Sequence, residues 1–423
     1  MVGKRLLVLS LCALLSAVAV FPAAAQTVEL TLWHHWTAHR SEYVQQLLDA
    51  FMAEHPNIKV QHQVAPTGGA QDRLTTMILS GAAPELVMVS SGYAFPFMIQ
   101  GGFYPLDEFI ARDGIDLGMF IPADIAGFQL FGETYALPVT SGAAWTNLLF
   151  YNRDMLADVG LADTGPEDWE QWREAALRMT RVADDGTLLA AGSNIPSMMQ
   201  AVAWTGSVPW SDDWRTAQVN TPQMQSTVSF LLDMLEDMYG TYSVHNNFLV
   251  SAVTRFQNQE LGLWFINNSA FGFANAFNFR WGARLAPVNR NYADAKPIGF
   301  ASGTWAYAIP ATIDPNKLEA AGTLLKWLTT QEETGGWFTR VQSRPSPVIA
   351  FNTHPDYRLN NPYWDVVIHA AAHDIIAPPG VGEALGAVHT RIMNGTVQPH
   401  QGLDDAQRAV QQALDDYWAA VGQ

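Results

Sequence analysis

The stretch VELTLWHHW, from Val28 to Trp36, alternates apolar and polar residues in the way a half-buried β-strand does. Helices and strands alternate after it, predicted at 41–55 (helix), 58–64 (strand), 72–80 (helix) and 85–90 (buried strand). Strands separated by helices of about 10–15 residues indicate a parallel sheet with helices on both faces. In such sheets ligands bind beyond the carboxyl ends of the strands, where Trp36 and Tyr93 lie here.

The segment before this strand has the features of a cleavable export signal. Lys4 and Arg5 precede an almost wholly apolar run from Leu6 to Phe21, and three alanines follow at 23–25. The run is short for a membrane span, so we favour cleavage over the alternative, an N-terminal anchor. The sequence therefore predicts a signal peptide at residues 1–25 and a periplasmic location.

Composition excludes several classes of protein. A chain of 423 residues exceeds what one hydrophobic core usually supports, so two lobes are expected. The net charge of −17 argues against nucleic acid or an anionic membrane as a partner. The only cysteine, Cys12, lies in the predicted signal, so the mature chain should have no disulfide and no thiolate metal site.

The remainder of the chain is also mixed. Helices are predicted near 169–182, 223–238, 249–259, 315–330, 332–342, 364–373, 383–393 and 404–418, and strands at 261–265, 281–287 and 304–309. No flexible linker of Gly and Ser separates them. Two lobes without a linker must be joined by short strands or turns, which is the geometry of a hinged clamp.

Four ordered stretches resemble the family-1 extracellular solute-binding proteins of ABC importers, the group that includes maltose-binding protein. They are LTLWHHWT with FMAEHPNIKV (30–37 and 51–60), GAAPELVMV with GGFYPLDEF (81–89 and 101–109), YALPVTSGAAWTNLLFYNRDML (135–156), and WAYAIP, WFTR and RPSP (within 305–347). Each stretch is weakly specific alone, and their order and spacing are strongly so.

The resemblance implies an α/β fold of the type II periplasmic binding protein kind. Each lobe is expected to be a mostly parallel sheet flanked by helices, with a hinge between the lobes. We place the three crossings, the points at which the chain passes from one lobe to the other, near Thr140, Pro287 and Ser343. The N-terminal lobe then comprises 27–140 plus 288–343, and the C-terminal lobe comprises 141–287 plus 344–423.

The resemblance also implies a function. We expect capture of a carbohydrate (a mono- or disaccharide, sugar alcohol or glycoside) between the lobes and its delivery to the permease subunits of an ABC importer. The protein is expected to be a monomer without cofactor or metal. The alternatives are a polyol phosphate ligand, such as glycerol 3-phosphate or its diesters, and a secreted glycosidase.

A sugar site needs aromatic faces for stacking and polar groups for the hydroxyl rim. The sequence offers ten candidates after strands or at crossings: Trp36, Tyr93, Trp145, Asn147, Trp204, Trp264, Ser302, Gly303, Trp305 and Arg344. Trp264 matches the family's cleft tryptophan, whereas Trp145 stands where the family commonly has a polar or charged residue. For each aromatic the competing interpretation is core packing, for Gly303 a plain tight turn, and for Arg344 a bond to hinge carbonyls.

The guanidinium of Arg344 can form bidentate hydrogen bonds with vicinal hydroxyls, a carboxylate or a phosphate. Glycerol-phosphate-binding relatives tend to carry a further arginine near the helix that begins here at Glu383, and its absence argues mildly against phosphate.

Catalytic motifs are not evident. The sequence contains no G-x-S-x-G, no G-x-x-x-x-G-K and no H-E-x-x-H. His369 and His373 could share a helix face, but no third ligand or neighbouring Glu base accompanies them. Abundant carboxylates leave a two-carboxylate glycosidase as the enzyme alternative. We therefore expect binding without catalysis.

Overall fold

The computed structural model describes residues 27–65, 69–301 and 303–422, with the side chain of Asn275 left undescribed. The predicted signal peptide lies outside these residues, as does Ser302. Within them, no helix is both long enough and apolar enough to cross a membrane.

The first sheet has five strands in the order β2-β1-β3-β13-β6. They are β1 (Val28–His34), β2 (Ile58–Val64), β3 (Leu86–Ser90), β6 (Ala136–Thr140) and β13 (Trp305–Ala308). The alternation predicted for β1 places Leu30 and Leu32 in the core on one face of the sheet and Trp33 in the core on the other. Both faces are therefore covered.

The second sheet also has five strands, in the order β11-β7-β10-β9-β8. They are β7 (Leu148–Asn152), β8 (Arg181–Val182), β9 (Leu188–Ser193), β10 (Leu261–Phe265) and β11 (Trp281–Leu285). Two short pairs complete the strands: β4 (Gln129–Leu130) with β5 (Glu133–Thr134), and β12 (Gly299–Phe300) with β14 (Asp374–Ile375).

Seventeen helices pack on the sheets in the described part of the chain. They are α1 (His39–Glu54), α2 (Ala70–Leu79), α3 (Ser91–Ile99), α4 (Asp107–Asp113), α5 (Pro122–Ala126), α6 (Arg153–Asp158), α7 (Trp169–Met179), α8 (Met198–Ala203), α9 (Pro222–Tyr239), α10 (Tyr242–Leu249), α11 (Ala252–Gln257), α12 (Pro315–Thr330), α13 (Trp337–Arg340), α14 (Pro355–Asn360), α15 (Trp364–Ala371), α16 (Val381–Met393) and α17 (Pro399–Ala420).

The α/β class and the two sheets flanked by helices are confirmed, but the sheets are less parallel than predicted. In the first sheet β1 pairs in parallel with β2 and β3, and β13 pairs antiparallel with β3 and β6. In the second sheet only β9 and β10 are parallel. The strands β6, β7 and β13, which form antiparallel pairs, lie next to the segments in which the chain passes from one sheet to the other.

The cores place two crossings later in the chain than predicted. Ile298 and Phe300 pack in the second core, although we expected residues from 288 onward in the first lobe. Val348 and Phe351 pack in the first core, although we placed the last crossing near Ser343. The segment after Ser343 is held there by a backbone hydrogen bond of 2.7 Å from the N–H of Ile121 to the carbonyl oxygen of Pro347. We keep the division into two lobes as a proposal, with both boundaries moved accordingly.

Candidate functional site

A cavity of about 730 Å³ lies between the two sheets. Its first-lobe wall is formed by α3, from Ser91 to Met98, with Gly127 and Gln129. Its second-lobe wall is formed by residues at the start of α8, by the segment 376–383 and by the end of α17. Among the described lining residues, Glu383 and Asp416 carry the charges, and both are acidic. The cavity therefore combines apolar surface with hydrogen-bond acceptors.

Three aromatic rings, here called the aromatic row, lead away from this cavity: Tyr93, Trp305 and Trp36. Tyr93 lines the cavity, and its ring centroid lies 6.2 Å from that of Trp305. The Trp305 ring lies 6.4 Å from the Trp36 ring, with Trp36 nearly buried and Trp305 partly exposed. Edge-to-face geometry at both contacts leaves ring surface of the two partly exposed members, Tyr93 and Trp305, available for stacking.

Strand geometry explains why these rings meet. Trp36 follows the end of β1, and Tyr93 lies in the first turn of α3, directly after β3. Trp305 opens β13, which runs antiparallel to β3 with Trp305 opposite Ser90. The start of β13 and the ends of β1 and β3 therefore lie at the same edge of the sheet.

The adjacent histidines His34 and His35 hold two of these rings in place. His34 Nδ1 accepts the backbone N–H of Trp36 at 3.0 Å, while its Nε2 lies 2.9 Å from Nδ1 of His62. Burial, with the neighbouring His62 and His35, lowers the pKa of His34 to about 3, so this ring stays neutral. The Tyr93 hydroxyl lies 3.2 Å from Nε2 of His35.

The crossing at 141–147 contains Trp145 and Asn147, which have different surroundings. Trp145 packs on Gly303, where an added Cβ would lie 2.5 Å from the indole ring. Asn147 is fully buried, and its amide donates to the carbonyls of Pro297 and Ala370 and to Asp374 Oδ1. This revises our expectation for Asn147, because its amide N–H groups bind the protein itself and only its buried Oδ1 has no hydrogen-bond partner among the described residues.

Trp204 and Trp264 also require correction. Trp264 is 3% exposed within β10 and packs on Phe256, with ring centroids 5.3 Å apart. Trp204 is fully buried against Trp172 and Phe265. Both belong to the core of the second sheet, and we no longer propose them as ligand contacts. Arg344 lies at the far end of the aromatic row, with its Cζ 5.6 Å from the Trp36 ring.

Two buried aspartates join the crossing segments. Asp124 Oδ1 accepts the N–H of Gly142 at 3.0 Å and also the hydroxyl of Thr304, which ties the first crossing to the second. Asp374 accepts the N–H of Ala144 at 2.6 Å. Burial raises the pKa of Asp124 to about 6 and raises the pKa of Asp374 well above its ordinary value.

Asp124→Asn is expected to change how stability depends on pH. A carboxyl whose pKa is raised to about 6 in the folded protein contributes stability at low pH that is lost as pH rises through about 6. From pH 4 to 7.5 the parent should therefore lose up to about 3 kcal/mol relative to Asp124→Asn. Urea unfolding across this range measures the difference, with Asp212→Asn at an exposed position as the control. If the free energy of unfolding varied with pH in the same way for the parent and for Asp124→Asn, the raised pKa of Asp124 would be contradicted.

Two sheets joined by buried crossings around one cavity define the class of two-lobed, hinged binding proteins. The chain belongs to the family of bacterial extracellular solute-binding proteins, whose sequence model matches residues 37–335. The resemblance inferred from the four stretches of sequence is thereby confirmed.

Relatives extend this assignment. Three binding proteins of Brucella abortus and Brucella suis are 28% identical over 157 residues, so the match spans 37% of this chain but only 36% of theirs. The sn-glycerol-3-phosphate-binding periplasmic protein of Yersinia enterocolitica is 22% identical over 422 residues, covering 96% of this chain and 94% of that protein.

Solved structures show the same fold. An ABC transporter solute-binding protein of Thermotoga lettingae, bound to α-D-tagatose, superposes with a TM-score of 0.75 at 19% identity, covering 92% of this chain and all of the other. One from Agrobacterium vitis, bound to D-mannitol, gives a TM-score of 0.67 at 19% identity, covering 92% and 99%.

Most of the second-lobe wall was missed by sequence reasoning. Ser197 and Gln200, which line the cavity, form a capping box at the start of α8. The pattern S-x-x-Q is readable in sequence and predicts a helix start, but not that the helix faces a cavity.

Proposed function

We propose that this protein captures a carbohydrate in the cavity between its lobes and delivers it to the permease of an ABC importer. The observation that carries the proposal is the aromatic row, which begins at the cavity wall and is built from the ends of β1 and β3 and the start of β13. Flat C–H faces of sugar rings stack on such aromatic surfaces. Glu383, Asp416, Ser197 and Gln200 supply polar groups for hydroxyls.

The relatives support a polyhydroxylated ligand. The structures from Thermotoga lettingae and Agrobacterium vitis hold a sugar and a sugar alcohol. The Yersinia relative is named for glycerol 3-phosphate, a phosphorylated polyol. We propose further that the protein binds without catalysis, acts as a monomer in the periplasm, and closes when the ligand contacts both lobes. The ligand would then stabilise the closed state, because it contacts both lobes only there, and the permease would recognise that closed state.

Binding should raise the melting temperature of the purified mature chain. A ligand present at about 100 times its Kd stabilises the folded state by about 2.7 kcal/mol, so a thermal-shift screen of sugars, sugar alcohols, sugar acids and their phosphates identifies binders. Isothermal titration should then give one site per chain. Chromatography of the same mixtures should recover the ligand unchanged.

Two results would contradict this proposal. A screen in which no member of these classes shifts the melting temperature would remove the carbohydrate assignment. Product that accumulates with protein and time would replace binding with glycosidase activity.

A further inference from the structure

Arg344 is a buried arginine without an acidic partner. Its side chain is 5% exposed, and its guanidinium makes no hydrogen bond or ion pair with any residue that the structure describes. Two other little-exposed arginines differ from it. Arg284 pairs with Glu167, and Arg340 lies within 4 Å of carboxylates.

A second arginine, Arg40, influences Arg344 electrostatically. Arg40 is half-buried and, like Arg344, has no ion pair in the described part of the chain. Burial, and then the like charge of Arg40, lowers the pKa of Arg344 to about 10. The chain has 40 acidic and 23 basic residues, so acids are not scarce, yet among the described residues none forms an ion pair with Arg344 or Arg40.

The backbone around Arg40 adds to the positive character of this region. Arg40 lies in the first turn of α1, a helix of 16 residues whose N-cap residue, Ala38, provides no side-chain hydrogen bond. Ala38 itself has a φ of 52°, in the left-handed region that alanine rarely adopts. The positive end of the helix dipole and its first amides therefore lie in the turn that links Trp36 to Arg40.

Burial of an unpaired charge destabilises a folded protein, so a group of this kind is best explained by a ligand that supplies the opposite charge. The Arg344 Cζ lies 5.6 Å from the centroid of the Trp36 ring, and the contacts of Trp36 with Trp305 and of Trp305 with Tyr93 lead from there to the cavity. We propose that the ligand is an acidic carbohydrate, whose sugar stacks on the aromatic row and whose carboxylate or phosphate group binds Arg344 and Arg40. This inference rests on the proposed function and adds the charge and the orientation of the ligand.

The acidic side chains of the cavity wall favour one orientation of the ligand. Glu383 and Asp416 line the second-lobe wall, where an anionic group would be repelled. Their carboxylates accept hydrogen bonds from sugar hydroxyls instead. The neutral end of the ligand is therefore directed toward α16 and α17, and its anionic end toward Arg344.

The test compares acidic and neutral members of matched pairs: D-glucuronate with D-glucose, and D-mannitol 1-phosphate with D-mannitol. Titration calorimetry uses the parent, Arg344→Gln, Arg40→Gln and the control Arg358→Gln, which removes an exposed arginine paired with Asp365. The parent should bind one acidic member at least about tenfold more tightly than its neutral partner, and Arg344→Gln should weaken that acidic member by about 10- to 150-fold. The matched pair that shows this difference in affinity tells whether the site prefers a carboxylate or a phosphate. Arg358→Gln should bind each compound with the affinity of the parent.

A ligand-free measurement provides an independent readout. Because Arg344→Gln removes an unpaired buried charge, it should raise the melting temperature of the free protein by about 2–4 °C, whereas a merely structural arginine would lower it on removal. Inorganic phosphate should stabilise the parent and not Arg344→Gln.

Neutral sugars that bind as tightly as acids, with Arg344→Gln unchanged, would overturn the inference and leave the proposed function standing. Stabilisation by phosphate that depends on Arg344, with no binding of any sugar, would support the anion site and overturn the carbohydrate assignment. If neither the sugars nor phosphate bind the parent, both fail.

Discussion

Trp305→Ala is expected to weaken carbohydrate binding by about 5- to 1000-fold, which corresponds to roughly 1–4 kcal/mol. Trp305 is the central ring of the aromatic row, 4.8 Å from His35 and within 6.4 Å of both Tyr93 and Trp36. Its loss removes stacking surface and also separates the two rings that it contacts. Titration of the parent and the variant with whichever sugar the thermal screen identifies measures the effect.

Trp281→Ala is the matched control for this variant. Trp281 is also partly buried and opens a strand, but it packs on Phe150 and Tyr363 in the second lobe. Its removal should lower the melting temperature and leave the affinity within about twofold, inside the range of an energetically neutral contact. If Trp305→Ala folds and binds as tightly as the parent, the aromatic row is a packing feature and the site lies elsewhere.

Gly142→Ala is expected to destabilise the protein by roughly 2–4 kcal/mol. An added Cβ would lie 2.4 Å from the backbone nitrogen of Thr304 and 2.6 Å from its hydroxyl oxygen. The methyl group must therefore push the crossing at 141–147 away from Gly303 and Thr304, which Asp124 holds against it. Urea unfolding gives the loss of stability, and titration gives the accompanying loss of affinity expected when the lobes are misaligned.

Gly386→Ala provides a control of opposite sign. Gly386 is exposed within α16, and no atom lies within 4 Å of the position that its Cβ would occupy. Alanine at this helical position should stabilise the protein by about 0.5–1 kcal/mol. If Gly142→Ala matched this gain, the crossings would be shown to be loosely packed.

Local patterns explain what the sequence could predict. Period-two alternation in β1 and the buried run in β3 place Trp36 and Tyr93 at the ends of neighbouring strands, and strand ends meet at one edge of a sheet. Trp305 joins them because its strand runs in the opposite direction. Trp36 and Tyr93 could therefore be proposed together from sequence, whereas placing Trp305 beside them requires the antiparallel pairing of β13 with β3.

The same reasoning could not assign Trp264. All five residues of β10 are buried, so its sequence is apolar on both faces and alternation gives no indication of which face meets a cavity. Arg40 and Arg344 are 304 positions apart in sequence (344 − 40), and only the folded chain brings their charges together. The second-lobe wall likewise depends on helices that are distant in sequence.

The order of segments in the second core has a consequence for how the chain reaches its folded state. That core is built from residues 144–300 together with residues 357–414, and α16 and α17 form much of its last layer. A chain that emerges from its amino end cannot complete the second lobe until nearly the last residue of α17 is available, because residues 305–351 are committed to the first lobe in between. Completion of the second lobe therefore has to wait for residues 357–414, so folding of both lobes depends on nearly the full length of the chain.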